Sequence, residues 1–383
     1  MNVAGLFAGI GGFELGLHAE GHRTVQLCEI KPEAIAVLGA RCAGVPIERD
    51  IRRMRALPKN VDLVCAGFPC QDLSQAGRTS GLGGENSGLV HEVFRLLRQR
   101  RVPWLVLENV PFMLQLQEGR AMRSIVEALE RLGYRWAYRV VDTFSFGLPQ
   151  RRERVFLVAT LDGDPEGVLF ADERPLARPE TALGSLAHGF YWTEGTGGLG
   201  WAVDAVPTLK NGSTIGIPSP PAILMPSGKI IKPDIRDAER MQGFPTDWTQ
   251  PAETVARASH RWSLVGSAVS VPVARWLGRR LAEPGEFDPT RCGDFPASGK
   301  LPKAACGDRT GRCSVTIGTD PVGVRPPHLA AFLDHEGSAL SVKATSGFYR
   351  RASAAKLRFA DGFLDAVERH LAFVSATPAA EGA

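Results

Sequence analysis

The sequence predicts a doubly wound α/β fold, and three observations carry that prediction. Short apolar runs alternate with stretches of helical periodicity through the first half of the chain. A cluster of glycines directly follows the first of those runs. The length of 383 residues, with 44% hydrophobic and 22% charged, suffices for a large core domain and a smaller second unit.

Candidate strands cover residues 2–7, 24–28, 61–66, 104–107, 136–141 and 154–160. Runs such as WLVL are apolar throughout, as strands buried on both faces of a parallel sheet must be. Between them, residues 13–19, 31–40, 87–100 and 121–132 place apolar side chains at helical spacing. The pattern is Rossmann-like and defines a first domain over residues 1–161. Residues 162–235 change to Gly, Pro, Ser and Thr with short apolar pieces, which predicts a small, mostly β and loop domain. Helical spacing returns at 236–241 and 271–281, so residues 236–283 are expected to rejoin the first domain. Residues 284–383 read as an accessory C-terminal extension of unknown role, with one helix near 360–371 and a small-residue tail expected to be disordered.

Composition narrows the function classes. Uncharged apolar runs are too short to span a bilayer, and the apolar start lacks a basic leader and is broken by Glu14, so a cytoplasmic protein without a membrane partner is expected. The seven cysteines are odd in number and scattered, which argues against a disulfide framework and leaves thiols free to react. A net charge of +4 permits an anionic partner. Arginines cluster at 95–101, 151–154 and 275–280, either as stripes that meet phosphates or as solvated helix faces.

Several segments carry chemistry. In AGLFAGIGGFELGL, Gly9 and Gly11 sit between a candidate strand and a candidate helix, where absent side chains let backbone approach a ligand or simply make a tight turn. Glu29, at the end of the next strand, stands where this fold class places an acceptor for ribose hydroxyls; Asp50 occupies a similar position, and either acid also suits a helix cap. Cys70 in GFPCQ follows a buried strand and precedes a Gly- and Ser-rich stretch that has the composition of a lid over residues 71–84. Glu108 and Asn109 end an apolar strand, a position that desolvates a carboxyl group and raises its pKa. Gln150, Arg152 and Arg154 alternate, which would put them on one strand face. Cys292, Cys306, Cys313, His328 and His335 lack the close cysteine pair of a zinc site, so no metal is expected.

Taken together, LFAGIGGF, CEI, the pair Asp50–Ile51, GFPCQ, ENV, QRRERVF, RDAERMQGFPTDW and GSAVSVPVARWLG resemble the cytosine-5 DNA methyltransferase family, in order and spacing, from Leu6 to Leu281. The resemblance implies a Rossmann-like methyltransferase fold with a target recognition domain at 162–235, S-adenosyl-L-methionine as cofactor and double-stranded DNA as substrate. It implies a monomeric enzyme and leaves a cognate restriction endonuclease open as a further partner. Residue by residue, it implies that Phe7, Gly9, Gly11, Ile30, Pro69, Leu89, Ser267 and Val269 line the cofactor pocket, that Glu29 holds the ribose, and that Asp50 and Ile51 meet the adenine. Cys70 would be the nucleophile, Glu108 would hold ring nitrogen 3 and the amino group of a flipped cytosine, Arg154 its carbonyl oxygen, and Arg152 would steady the site. Gln71, Ser74, Asn109, Gln150, Thr208 and Leu209 would contact the DNA. Three positions depart from the family pattern at the cofactor pocket. Gly5 replaces an acid, Ser267 an asparagine and Ser87 an arginine. An RNA methyltransferase of the same chemistry and a catalytically impaired DNA-binding relative are the alternatives; the Cys-Phe-Thr signature of the family's transfer-RNA branch is absent from the variable region.

Overall fold

The computed structural model of the protein describes residues 1–68, 88–212 and 218–376. The expected strands and helices of the first half form, with ends shifted by a few residues. Strands are numbered along the chain: β1 (Asn2–Leu6), β2 (Arg23–Cys28), β3 (Ile47–Glu48), β4 (Leu63–Gly67), β5 (Trp104–Asn109), β6 (Arg135–Asp142), β7 (Gln150–Arg151), β8 (Glu153–Thr160), β9 (His188–Phe190), β10 (Trp201–Val203), β11 (Val206–Pro207), β12 (Ala222–Leu224), β13 (Ile230–Lys232), β14 (Cys292–Asp294), β15 (Ala304–Asp308), β16 (Gly311–Val315) and β17 (Ser338–Ala339).

The chain divides into two compact units, the first made of residues 1–142, 153–175 and 269–323. Its sheet runs β14-β16-β15-β6-β8-β5-β4-β1-β2-β3. From β3 to β5 neighbours are parallel, and from β5 to β14 they are antiparallel. Successive strands leave β1 in opposite directions, toward β2 on one side and β4 on the other. The C-terminal ends of β1 and β4 therefore flank the topological switch point, where open α/β sheets bind ligands. Val64, Leu105, Leu107, Val155 and Leu157 build the core beneath that point.

Helix Gly12–His18 packs on helix Val271–Ala282, and Gly16 makes this possible: a Cβ there would lie 2.6 Å from Cβ of Ala274 and 2.7 Å from the Val271 carbonyl oxygen. The returning helix thus joins the first unit as expected, but the return starts at residue 269 rather than 236. Residues 284–323 also differ from expectation. They are no appendage, because β15 pairs with β6 and extends the main sheet by three antiparallel strands.

The second unit comprises residues 143–152, 176–268 and 324–383, of which 213–217 and 377–383 lie outside the described residues. Its antiparallel sheet runs β10-β9-β12-β13-β17. Helices Val342–Ala354 and Phe363–Ala376 supply the apolar cover that so small a sheet lacks: the Phe190 ring lies 4.5 Å from that of Phe348 and 5.4 Å from that of Phe363. Within residues 162–235 the described chain is short strands and loops with one five-residue helix, and the C-terminal helices of residues 342–376 back its sheet. RDAERMQGFPTDW, expected to rejoin the first domain, belongs here. It buries Glu239, whose carboxylate meets Arg261 at 3.0 Å.

The arginine clusters are largely consumed by the fold. Arg95 donates to the carbonyls of Ile51 and Met54, and Arg100 to those of Pro58, Lys59 and Val61. Arg275 pairs with Glu20 and Arg280 with Asp172. Guanidinium groups spent on internal acceptors brace helices and turns rather than forming a phosphate stripe. Among the described residues, no helix is long and apolar enough to cross a membrane.

Candidate active site

β4 and β5 lie side by side with Gly67 opposite Glu108. A side chain on Gly67 would crowd Glu108, since a Cβ there would sit 3.3 Å from Oε2. β8 flanks the other side of β5, and from it Arg154 reaches across: its Nε lies 3.0 Å from Oε1 of Glu108, with both side chains largely buried. Next along β5, the Asn109 side chain donates to the Phe68 carbonyl at 3.0 Å and accepts from the Val110 amide at 2.8 Å. Asn109 therefore fixes the backbone two residues before Cys70. Pro69, Cys70, Gln71, Ser74, Ser87 and the expected lid at 71–84 lie outside the described residues.

What this arrangement can do follows from its donors and acceptors. A carboxylate and a guanidinium held together at strand ends present an acceptor and donors in fixed relation. A planar heterocycle carrying an amino group beside a carbonyl matches both. The desolvated carboxyl of Glu108 thus has Arg154 as its counter-ion.

At the turn after β1, Phe7 adopts a positive φ of 54° and Gly9 one of 57°, while Gly11 caps the next helix in the left-handed conformation. Glu29 holds this turn, accepting from the Gly9 amide at 2.8 Å through Oε2 and from the amides of Ile30 and Lys31 at 2.9 Å through Oε1. Oε1 accepts two amides and Oε2 only one, so this role leaves acceptor capacity at Oε2 for a ligand hydroxyl. Ile30 is exposed and Ile51 buried, while Leu89 is partly buried against the core. Asp50 is engaged by Arg52 at 2.8 Å, which holds its carboxyl below the usual range. Val269 stands beside the end of β4, about van der Waals distance from where a Gly67 Cβ would be.

Glu14 was missed by sequence reasoning. Both of its carboxyl oxygens are buried without a hydrogen-bond partner from another residue among those described, and burial pushes its pKa up to about 7. It projects into the space beside Gly5: a Cβ on Gly5 would collide with Oε1 of Glu14. The carboxyl group of Glu14 thus occupies the space that a side chain at position 5 would enter. The sequence signal was available, as a charged residue on the apolar side of an otherwise hydrophobic strand-turn-helix segment.

The alternation of Gln150, Arg152 and Arg154 does not give one shared face. The chain leaves strand geometry at Arg152, and Gln150 and Arg152 belong to the second unit while Arg154 belongs to the first. Arg152 is buried and donates to the carbonyls of Leu209 at 3.1 Å, Gly266 at 3.2 Å and Ala268 at 2.7 Å. Gln150 donates to the Met241 carbonyl and accepts from the Leu209 amide, both at 2.9 Å. Leu209 is buried, and Thr208 donates from its hydroxyl to the Arg151 carbonyl at 2.8 Å. Ser267 is exposed, also in the second unit.

A model of the C-5 cytosine-specific DNA methylase family matches residues 1–183. The chain is 44% identical over 388 residues to the Type II methyltransferase M2.BsuMI of Bacillus subtilis (strain 168), covering 96% of this chain and 98% of that one. It is 29% identical over 313 residues to the Type II methyltransferase M.NlaX of Neisseria lactamica, covering 73% and 95% respectively. Among solved structures, the S. pombe Dnmt2 methyltransferase shares the fold with a TM-score of 0.53 at 16% identity, covering 75% of this chain and all of that one. The chain belongs to the C-5 cytosine-specific DNA methylase family and is a DNA cytosine-5 methyltransferase.

Proposed function

We propose that Cys70 is the nucleophile of this enzyme, that Glu108 and Arg154 hold the target cytosine, and that S-adenosyl-L-methionine is the methyl donor. The observation that carries the reading is the Glu108–Arg154 pair, 3.0 Å apart at the ends of β5 and β8, beside the strand that leads to Cys70. Carbon 5 of cytosine is a weak nucleophile until a thiolate adds to carbon 6, so a thiol, an acid and a guanidinium form a sufficient set.

In this mechanism the Cys70 sulfur forms a bond to carbon 6, and the electrons of the carbon 5–carbon 6 double bond become available at carbon 5. Glu108 accepts from the ring's amino group and supports a proton at nitrogen 3, while Arg154 donates to the carbonyl oxygen; both stabilise the displaced charge. S-adenosyl-L-methionine, when bound, supplies an electrophilic methyl group on a sulfonium. After transfer, water removes the carbon 5 proton, the double bond reforms and the Cys70 thiolate leaves. Such a base is inaccessible within a duplex, so the cytosine is flipped out, as in methyltransferases generally.

The residues around the β1 turn fit that donor. A sulfonium amino acid carries a cationic amino group, and Glu14 offers a buried carboxyl lacking a partner from another described residue. Among the described residues, nothing lies within 4 Å of a Cβ built on Gly9. We assign Glu29 to the ribose, Asp50 and Ile51 to the adenine, and Phe7, Gly9, Gly11, Ile30, Pro69, Leu89, Ser267 and Val269 to the pocket. Gln150, Arg152 and Leu209 are positioning residues that hold Thr208; Gln71, Ser74, Asn109 and Thr208 are assigned to the DNA. The second unit reads base edges as the recognition domain. M2.BsuMI is by name a Type II methyltransferase, which supports a restriction-modification setting; we assign the enzyme a monomeric state, double-stranded DNA as substrate and a cognate endonuclease as partner.

Duplex DNA with 5-fluorocytosine in place of every cytosine tests the nucleophile, because fluorine cannot leave as the proton does. With S-adenosyl-L-methionine present, a denaturation-resistant protein–DNA species attached through Cys70 is expected. A bound but adduct-free complex overturns the proposal.

A further inference from the structure

Three cysteines far apart in sequence meet on one face of the sheet extension. Cys306 on β15 stands directly opposite Cys313 on β16, and β14 on the other side of β16 brings Cys292 diagonally alongside. Their three Sγ atoms lie within 4.8 Å of one another, with Cys306 and Cys313 at 3.3 Å. We propose that Cys292, Cys306 and Cys313 form a structural zinc site that clips the strands β14, β15 and β16 together, the fourth place being taken by an oxygen donor.

The geometry and the chemistry agree. Zinc takes thiolates at about 2.3 Å in a tetrahedron, which sets neighbouring sulfurs roughly 3.8 Å apart. The three thiols lie close to that spacing before any ion draws them in. A disulfide would use two sulfurs and strand the third; a soft cation uses all of them. Asp294 lies directly opposite Cys313 in the β14–β16 register but its carboxylate is not among the clustered ligand atoms, so the oxygen donor in the fourth place is assigned to water. The charge of Glu166 also acts on Cys292 and Cys306, and Glu166 is paired with Arg135 at 3.2 Å. Without a cation, burial and the neighbouring thiols push Cys292 up to about 11 and Cys306 higher still. A divalent ion reverses that preference, releasing the thiol protons as three sulfur–metal bonds form.

The reason for such a clip is visible in the sheet. β14 is exposed along its length and, as the edge strand of the sheet, pairs on one side only, with β16. Metal binding free energy would add to that single pairing. None of these cysteines takes part in methyl transfer, so the site stands apart from the proposed mechanism.

The intact enzyme, reduced and dialysed against excess Zn(II), should retain about one equivalent of metal. Replacement by Co(II) should give the intense thiolate-to-metal absorption and visible bands of a tetrahedral sulfur-rich site. Cys292→Ser, at the exposed position, should weaken Zn(II) affinity by at least about 100-fold, beyond the effect of losing an outer-shell contact. Cys42→Ser should leave it unchanged. Wild-type protein that retains no Zn(II) and shows no Co(II)–thiolate absorption overturns the proposal. So does a Cys292→Ser variant that binds Zn(II) like wild type, or a metal-free protein lacking two hydrogens by mass through a Cys306–Cys313 disulfide.

Discussion

The carboxyl group of Glu14 fills the space into which a side chain on Gly5 would project. The two positions are therefore exclusive: a side chain on β1 at position 5 and the Glu14 carboxyl cannot share this space. Gly5→Ala should destabilise the fold by about 1–3 kcal/mol, the usual effect of overpacking a filled site. Glu14→Ala should weaken S-adenosyl-L-methionine binding about tenfold or more, and Gly5→Asp added to it should recover much of that loss. Calorimetric titration of the three variants checks this; a double variant no better than Glu14→Ala contradicts this expectation.

Glu14 also sets a pH dependence. Burial raises its pKa from the ordinary 4.5 to about 7, so between these values the folded protein holds a proton that the unfolded chain has lost. Its contribution to stability is complete below pH 4.5 and declines as pH rises toward 7, by on the order of 3 kcal/mol. Glu14→Gln should remove that decline from denaturation midpoints measured across the window. A cationic ligand favours the ionised carboxylate, so wild-type cofactor binding near pH 6.5 should release a fraction of a proton that the Gln variant does not.

His370 acts with the opposite sign. Its Nδ1 accepts from the Ile230 amide at 3.2 Å, so Nε2 carries the hydrogen donated to the Leu340 carbonyl at 3.1 Å. Burial lowers its pKa below 6.5, and the unfolded chain takes up the proton first as pH falls. The bridge stabilises the second unit above about pH 6.5 and is lost as pH drops through the folded pKa. Subtracting the His370→Gln denaturation curve from that of wild type isolates this slope, which should be positive with pH.

Removing one partner of the buried Arg261–Glu239 pair should be severe. Glu239 is fully buried and Arg261 nearly so, with Thr249 also bonded to the same carboxylate. Arg261→Met should cost about 3–5 kcal/mol because an uncompensated charge is left inside. Thermal unfolding measures the loss, and a midpoint within a degree or two of wild type contradicts it.

Much of this site was legible in the sequence, and the remainder has a physical reason. Periodicity located β1, β4, β5 and β8, and hence the ends from which Glu108 and Arg154 project. It could not show that Arg152 turns away, because a two-residue alternation assumes an unbroken strand and the chain departs from one there. Residues 284–323 read as an appendage since their strands are short and rich in small residues; only pairing with β6 reveals them as sheet. Cys306 and Cys313 are seven residues apart in sequence yet directly opposed in space, a relation set by cross-strand register and invisible to a search for close spacing.

The pairing of Glu108 with Arg154 should matter to turnover more than to binding. Arg154→Ala should lower kcat by about 100- to 1000-fold, the scale found when a donor to developing charge is removed, while DNA affinity changes little. Single-turnover methylation beside a gel-shift titration separates the two.

Sequencing 5-methylcytosine in host DNA, from cells expressing the wild-type chain or Cys70→Ala, tests the central claim most directly. The wild type should mark cytosine within one recurrent sequence, and the variant, present at equal level, should leave that sequence unmarked. Methylation of the same sequence by Cys70→Ala would contradict the account, since no other thiol is assigned to attack carbon 6.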